Sequence, residues 1–332
     1  MTSRRQFLKA FAGGGALLAT SHLPAFGEDD PAVFARRGKW ERLMVGYASI
    51  KAGATKPFSV LHISDTHLTA AYGNESTNRQ RIARWRTVTF GGRQEEALRD
   101  SIAWAKEHAD YILHTGDLID FQSEANYDLA RAAFFKPANG AIPEWYGMHM
   151  LALGNHELSP EMWLGEDKCT CDDVWRAKYM PAVAKGYGRD NLSFATTVVN
   201  GVNFITLDDV FGTVSAAQVE EFRAEVQKGL PIVLCMHVPF FTDGIALAHE
   251  TFWHNDRKYS AETAVVLQGD LKRQREDPVT RDFIAYLKGE PLLKGILAGH
   301  LHISIQDRFS PTAMEYVVGG NFMFHGQHVL VS

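Results

Sequence analysis

Short apolar runs alternate with amphipathic segments along most of the chain, beginning near residue 58. Five of the runs are rich in Val, Ile or Leu and have the length of a buried strand, at residues 58–63, 111–114, 148–153, 232–236 and 295–298. Segments with helical character precede the last four runs, at residues 94–107, 125–135, 215–227 and 279–288. This alternation predicts a layered α/β domain.

Two further pairs of strands are predicted as hairpins. Residues 192–199 and 202–207 flank Asn200-Gly201, and both turn residues tolerate the positive φ of a type I′ turn. Residues 303–309 and 314–319 form the second pair, and residues 43–50 form a short strand ahead of the domain. Strand pairs added to alternating α/β units predict either one mixed sheet or two sheets that face each other between helices.

The first 27 residues have the composition of an export signal. The run Ser3-Arg4-Arg5-Gln6-Phe7-Leu8-Lys9 precedes a mildly apolar stretch, and Ala25-Phe26-Gly27 places small residues where a signal peptidase cleaves. The segment looks like a twin-arginine signal, which exports folded proteins. An ordinary first helix is disfavoured because three consecutive glycines suit a helix interior poorly.

This signal predicts the domain organisation and the location of the protein. Cleavage after Gly27, or alternatively after Ala25, would leave a lead-in over residues 28–55 and one domain over residues 56–332. The twin-arginine export machinery is then an expected partner, and the mature chain is expected to be periplasmic or secreted. No uninterrupted apolar run is long enough to span a bilayer, so no transmembrane segment is expected.

Removal of the signal makes the chain more acidic. The whole sequence has 34 basic and 39 acidic residues, for a formal net charge of -5. The segment holds Arg4, Arg5 and Lys9, so 31 basic residues remain against 39 acidic ones and the net charge becomes -8. This charge disfavours nucleic acid as a partner, but a small anionic substrate stays compatible because a metal site creates its own positive field.

The cysteine content does not indicate a disulfide framework. The chain has only Cys169, Cys171 and Cys235, an odd number for a fully bridged exported protein. We favour a buried Cys235 and two loop thiols at Cys169 and Cys171. One bridge between unspecified partners is the alternative.

Each of the five predicted buried strands is followed by residues that commonly bind metals. In chain order these are Asp65 and His67, Asp117, Asn155, His237, and His300 with His302. In open α/β sheets a ligand crevice lies beyond the carboxyl ends of the strands, so we expect these residues to converge. Glycines at positions 116, 154 and 299 are expected to let the chain turn sharply beside them.

The types of these residues indicate the chemistry. A single Asp or His at a strand end is usually a helix cap or a satisfied polar group, but four histidines and two carboxylates at one edge would be costly to bury. Carboxylate, imidazole and amide oxygen together suit borderline divalent ions or iron rather than calcium. A carboxylate has two oxygens and can therefore bridge a pair of ions.

The motifs resemble those of a known family. Asp65-x-His67, Gly116-Asp117, Gly154-Asn155-His156-Glu157, His237 and Gly299-His300-x-His302 occur in the order found in calcineurin-like metallophosphoesterases, over residues 57–325. The resemblance implies an α/β (α+β) fold in a single domain, a four-layer αββα sandwich of two mixed β-sheets flanked by helices. It also implies a hydrolase that acts on phosphoric ester bonds, with a small phosphate ester as substrate.

The resemblance further implies a role for each motif residue. Asp65, His67 and His302 would hold a first metal ion, Asn155, His237 and His300 would hold a second, and Asp117 would bridge them. The ions would be divalent or iron-type (Mn, Fe, Zn or a mixed pair), and a metal-bridging hydroxide would attack a phosphate mono- or diester. Asp117 and His156 would be catalytic, with His156 protonating the leaving group and Glu157 orienting its imidazole.

The purple acid phosphatases of this family owe their colour to a tyrosine. The Asp65-x-His67 segment has no counterpart of it, which argues against a permanently ferric site. The sequence disfavours two other classes of function. A non-catalytic metal-binding scaffold of the same fold is disfavoured because every ligand position and His156 are filled, and a nuclease is disfavoured by the net charge.

Two segments that follow ligand loops are candidates for substrate contacts. Residues 78–93 carry five arginines with Trp85 and Phe90, and form either a solvated basic loop or a flap on the substrate side. Residues 240–259 carry aromatic residues that could stack on a substrate or pack on the core. The remaining histidines near the motifs are interpreted as structural or as lying outside the site: His62, His114, His325 and His328.

Overall fold

The computed structural model describes residues 42–135, 149–162, 169–254, 270 and 272–332. The predicted signal segment at residues 1–27 lies outside the described residues, as does the first part of the predicted lead-in. Strands in the described part of the chain form two mixed sheets.

The first sheet contains five strands. Their bounds are β1 Met44–Ile50, β2 Phe58–Ile63, β3 Tyr111–Thr115, β4 His149–Ala152 and β11 His325–Val331. Their order is β1-β11-β2-β3-β4. β2, β3 and β4 are parallel, whereas β11 is antiparallel to β2 and parallel to β1. All six residues of β2 are buried, as expected for a central strand that is covered on both faces.

The second sheet contains six strands. Their bounds are β5 Phe194–Val199, β6 Val202–Leu207, β7 Ile232–Cys235, β8 Leu293–Ala298, β9 Ile305–Arg308 and β10 Met314–Val317. Their order is β5-β6-β7-β8-β10-β9. β6, β7, β8 and β10 are parallel, and the antiparallel strands β5 and β9 lie at the two edges.

Helices cover the outer faces of the sheets. Their bounds are α1 Thr77–Thr89, α2 Gln94–His108, α3 Glu124–Ala130, α4 Asp173–Tyr187, α5 Ala216–Val226, α6 Asp243–His254 and α7 Pro278–Gly289. Most begin at a polar residue whose side chain accepts a backbone N–H of the first turn, as Ser215 does for α5 and Asp277 for α7. Pro278 occupies the first turn of α7, where its missing N–H costs nothing.

The apolar side chains form two main layers. Between the sheets, residues of the first sheet such as Phe58 and Val60 pack with residues of the second sheet such as Phe204 and Val233. Outside the second sheet, alternate residues of its strands pack against the apolar faces of α5 and α7. α2 packs on β2 and β3, outside the first sheet. Both sheets are therefore covered on both sides.

Most of the predicted elements are confirmed. The five buried strands and four helices lie within a few residues of their predicted bounds, and α3 continues as a π-helix over Arg131–Phe135. Both hairpins form, and Asn200 and Gly201 both have positive φ. The predicted fold class of two mixed sheets flanked by helices in a single domain is confirmed. None of the helices in the described ranges has the length and apolar character needed to cross a membrane.

Two interpretations of the sequence are wrong. The proposed loop at residues 78–93 is largely helix α1, because Ser76 caps its first turn by accepting the N–H of Arg79. The favoured pair of loop thiols is wrong, because Cys169 and Cys171 form a disulfide, which is the alternative of one bridge, and Cys235 is buried and free as expected. Separation by a single residue brings two cysteines within bridging distance without any long-range contact.

A matched pair of substitutions tests the packing between the sheets. Val233 is fully buried between them, whereas Val198 on the neighbouring edge of the second sheet is 55% exposed. Val233→Ala should lower the free energy of unfolding by about 2 kcal/mol, through lost apolar burial and the cavity left behind. Val198→Ala should change it by about 0.5 kcal/mol or less. Urea denaturation measures both, and equal losses would contradict the facing-sheet core.

Candidate metal centre

The loops after five strands meet at one edge of the sandwich. β2 leads into Asp65 and His67, β3 into Asp117, β4 into Asn155 and His156, β7 into His237, and β8 into His300 and His302. The structure brings all seven predicted ligands and His156 together, although they come from both sheets. Three overlapping groups of their imidazole and carboxylate atoms could hold a metal ion: Asp65 with His67 and His302, Asp65 with Asp117 and His237, and His67 with His156 and a further carboxylate, Asp120.

Asp65, His67 and His302 form the first group. The Nε2 atoms of His67 and His302 lie 3.1 Å apart, and Asp65 Oδ1 lies 3.2 Å from His302 Nε2. Asp65 Oδ1 is buried and makes no hydrogen bond of acceptable geometry to the described residues. Three donor atoms that face one another, one of them a buried carboxylate oxygen without a hydrogen bond, suit a shared cation.

Asn155, His237 and His300 form the second group. His237 Nε2 lies 3.2 Å from Asn155 Oδ1 and 3.2 Å from His300 Nδ1. The other ring nitrogen of His237 lies 2.7 Å from the backbone oxygen of Thr115, which selects the tautomer with the proton on Nδ1. That tautomer leaves the Nε2 lone pair directed at the centre.

Asp117 lies between the two groups. Its Oδ2 is 3.7 Å from His67 Nε2 and 3.3 Å from His237 Nε2. Its Oδ1 accepts the backbone N–H of His156 at 2.9 Å. This is the position that a bridging carboxylate requires, and the donor set as a whole fits two borderline divalent ions.

The ligand loops contain an unusual density of left-handed backbone. Positive φ values between 52° and 69° occur at Asp65, His67, Asp117, His300 and His302. Each such non-glycine residue costs on the order of 1 kcal/mol or more, and persists only where neighbouring contacts hold it. Backbone hydrogen bonds from Asp65 to Gly116 and from His67 to Asp117 stabilise this conformation. The strain directs side chains from successive positions into one small volume.

Glu157 organises the loop after β3 rather than the imidazole of His156. Its carboxylate accepts the backbone N–H groups of Gly154, Asp117 and Leu118 at 2.7–2.9 Å, and the hydroxyl of Tyr187 at 2.9 Å. Burial and the charge of Asp117 raise the pKa of Glu157 to about 6. The predicted orienting role of Glu157 is therefore wrong, because all its hydrogen bonds go elsewhere.

Gly154 is required by the close approach of the same two loops. A Cβ atom at this position would overlap the backbone nitrogen and the carboxylate of Asp117. The absence of a side chain thus lets the loop after β4 lie directly against the bridging residue, as the sequence predicted.

Asp120, rather than Glu157, contacts the imidazole of His156 and can orient it. Its side chain and backbone oxygens lie 3.2 Å and 2.8 Å from His156 Nδ1, and Oδ1 lies 3.0 Å from His67 Nδ1. Arg86 donates to both carboxylate oxygens at 2.7 Å and 2.8 Å. Sequence reasoning missed Asp120, although a second carboxylate three residues after Asp117 was an available signal.

The carboxylates make the centre strongly attractive to positive charge. Burial would raise the pKa of Asp117, but the charges of His237 and His156 hold it well below its usual range. Burial would lower the pKa of His237, yet the charge and hydrogen bond of Asp117 raise it to about 10, so a metal ion bound at Nε2 would displace a proton from that atom. Burial lowers the pKa of His67 to about 4, so this imidazole is neutral and available as a ligand.

The pKa of His156 is raised, whereas that of His67 is lowered. Burial would lower its pKa, but the charge of Asp117 and then the hydrogen bond and charge of Asp120 raise it to about 9. Its Nε2 lies 3.9 Å from Asp117 Oδ2, on the side of the centre. The imidazole is therefore held as a cation, facing the ligand groups.

The two segments named as candidates for substrate contacts, residues 78–93 and 240–259, pack in different places. Phe90, which ends α1, stacks on the ring of His67 with centroids 4.5 Å apart, so α1 lies beside the first group. In the second segment, Phe241 and Phe252 pack against the core of the second sheet. The side chains of Trp253 and His254 and residues 255–259 lie outside the described part of the structure. Substrate contacts by either segment stay a prediction.

The histidines outside the motifs have structural contacts. His62 Nε2 lies 2.8 Å from Thr115 Oγ1, and His114 Nε2 lies 2.9 Å from Thr66 Oγ1, both behind the ligand loops. Burial lowers the pKa of His62 to about 4 and of His114 to about 3, so both are neutral. This agrees with the structural role predicted for these two residues.

Solved structures match the chain only at low sequence identity. A dimetal phosphatase from Danio rerio is 13% identical, with a TM-score of 0.45 over 80% of this chain and 88% of that chain. Purple acid phosphatase PPD1 from yellow lupin (Lupinus luteus) is 14% identical, with a TM-score of 0.46 over 81% and 45%. A putative 5'-nucleotidase from Staphylococcus aureus is 13% identical, with a TM-score of 0.40 over 80% and 49%.

Comparison with curated proteins finds no significant match. A family model described as calcineurin-like phosphoesterase matches residues 58–304, well over half of the chain. The matched range begins at β2 and ends just after His302, so it contains every ligand position described above. The chain belongs to the calcineurin-like phosphoesterase family, whose members are hydrolases of phosphoric esters.

Proposed function

We propose that the chain is an exported phosphoesterase that uses two metal ions to hydrolyse a phosphate mono- or diester. The observation that carries the proposal is the position of Asp117, whose Oδ2 lies within 4 Å of a ligand nitrogen in each of the two groups. A site for one ion would need only one of the groups. Two groups that share a carboxylate provide donors for a pair.

The residues divide between the two ions as the motifs imply. Asp65, His67 and His302 would hold one ion, and Asn155, His237 and His300 the other, with Asp117 shared between them. Bound Mn, Fe or Zn ions would supply an activated water and positive charge for the phosphate oxygens. The chain itself contributes the rigid placement of the donors, since Glu157 and the strained backbone hold the loops.

His156 is proposed as the acid that protonates the leaving group. Its ring faces the centre, and Asp120 holds Nδ1, which leaves the Nε2 proton as the one available for transfer. With a pKa of about 9, the imidazole is protonated at neutral pH. A general acid in this position contributes roughly 10²–10⁴-fold to the rate.

Export and location rest on the sequence alone. The paired arginines, the glycine-rich apolar stretch and the small residues at positions 25 and 27 support a twin-arginine signal and a periplasmic or secreted enzyme. Folding before export would allow metals to be loaded in the cytoplasm, which suits a metalloenzyme.

Turnover by the proposed enzyme should depend on bound metal. The mature protein, reconstituted with Mn, Fe or Zn, should hydrolyse at least one ester in a panel of p-nitrophenyl phosphate, bis-p-nitrophenyl phosphate, nucleotides and phospholipids. Asp117→Ala should lower kcat/KM by about 10³-fold or more and reduce the bound metal, because the shared ligand is lost. His156→Ala should lower kcat by roughly 10²–10⁴-fold and keep both ions.

Asp282→Ala is the matched control, since Asp282 is an exposed aspartate of α7 whose side chain pairs with Arg281. It should retain wild-type turnover and metal content. Absence of metal-dependent turnover on every ester, or full activity of Asp117→Ala, would refute the proposed function. The panel also separates monoesterase from diesterase activity.

The pH dependence of kcat should follow the protonation of His156. The acid form of His156 exists below its pKa of about 9 and is lost as the pH rises through that value, so kcat should fall on the basic side. Asp120→Asn removes a negative charge that favours the imidazolium. The basic limb should therefore move to lower pH, by roughly one pH unit.

Asp282→Asn removes the same charge from the surface and should leave the pH profile of kcat in place. An unchanged basic limb in Asp120→Asn, with metal content retained, would show that Asp120 does not set the protonation of His156. A basic limb that persists in His156→Ala would show that another group is responsible.

A further inference from the structure

His300 is held on both sides of its ring. Its Nδ1 lies 3.2 Å from His237 Nε2, within the second ligand group, and its Nε2 lies 3.2 Å from Asp270 Oδ2. The other oxygen of Asp270 lies 3.1 Å from Nη1 of Arg273. A neutral imidazole carries one N–H, so a carboxylate at Nε2 keeps the proton there and leaves the Nδ1 lone pair for a metal ion.

Close packing of the backbone places Asp270 beside the imidazole of His300. Asp270 is only 3% exposed, and its backbone packs against Gly212 in the turn Val210–Gly212 that follows β6. A Cβ atom at position 212 would lie 2.7 Å from the Asp270 backbone oxygen and 3.0 Å from its Cα. Only glycine at this position lets the carboxylate reach the ring.

The first ligand group has a comparable contact between a carboxylate and a ligand imidazole. There the carboxylate of Asp120, which is held by an arginine, lies 3.0 Å from His67 Nδ1 and leaves Nε2 directed at the centre. We propose that Asp270 is the positioning residue that orients His300 for the second metal ion. The inference rests on the two-metal centre proposed above, and it adds a residue that belongs to none of the sequence motifs.

The arginine makes the carboxylate difficult to replace. Both the guanidinium of Arg273 and the Nε2–H of His300 are donors, so the residue between them must present two acceptors. A carboxylate does so, whereas the amide of Asp270→Asn has one oxygen and one NH₂ group. One of the two donors would then face another donor. Loss of such an outer contact typically weakens metal binding by about 10–100-fold.

The test measures metal binding to the full mature chain, independently of activity. The protein is stripped with a chelator, and the two dissociation constants for Mn²⁺ are measured by calorimetric titration, with elemental analysis after dialysis. In Asp270→Asn and Asp270→Ala we expect one constant to stay at its wild-type value and the other to rise by about 10–100-fold. Dialysed samples should then hold one ion instead of two.

Two further variants make the result specific. Glu276→Gln removes one negative charge from the same segment, at a side chain that is 65% exposed and pairs with Lys272. This variant should bind both ions normally. Arg273→Met keeps the Asp270 carboxylate but removes the guanidinium that holds it. This variant should weaken the binding of the same single ion by a smaller factor. Arg273→Met also carries the test if the Asp270 variants do not fold.

The outcomes distinguish this inference from the proposed function. Weaker binding of one ion alone in the Asp270 or Arg273 variants supports this inference, even if no ester in the substrate panel is hydrolysed. Wild-type affinity for both ions in these variants overturns it, as does equal weakening of both ions. A wild-type chain that binds only one ion overturns both this inference and the two-metal centre.

Discussion

A buried carboxylate needs donors or cations on every side, and the requirement is greatest at Asp117. Its Oδ1 accepts the N–H of His156, its Oδ2 faces the imidazoles of His67 and His237, and its own N–H donates to Glu157. Without such partners, the desolvation of this charge would cost several kcal/mol. The loops after β3 and β4 are folded around this one side chain, and the rest of the centre follows from that arrangement.

Each half of the centre draws on both sheets. His302 follows β8 of the second sheet but lies with Asp65 and His67, which follow β2 of the first, and Asn155 of the first sheet lies with His237 of the second. The ligand groups can therefore form only when the sheets have packed face to face. This couples the apolar layer between the sheets to the chemistry at their edge, and explains why strained backbone is tolerated in the loops.

The strands and the convergence of the candidate ligands at one edge were predictable because their physical signals are local. A run of buried β-branched and aliphatic residues identifies a strand, and a polar residue directly after it must lie at the carboxyl edge. The outer contacts were not predictable in the same way. Asp120 lies only three residues from Asp117, yet its pairing with Arg86 of α1 depends on where a distant helix docks. Adjacency in sequence suggested Glu157 for His156, whereas the backbone turn directs Glu157 away from that ring.

The sequence by itself determined the element order, the two hairpins and the types of the seven candidate ligands, because periodicity, turn chemistry and residue identity are properties of short segments. Only the tertiary structure decided which nitrogen of each histidine faces the centre, since that choice depends on Thr115, Asp120 or Asp270 arriving from another part of the chain. The motifs thus specify which residues can bind a cation. The packing of the two sheets and their loops specifies how each of those residues presents its lone pair.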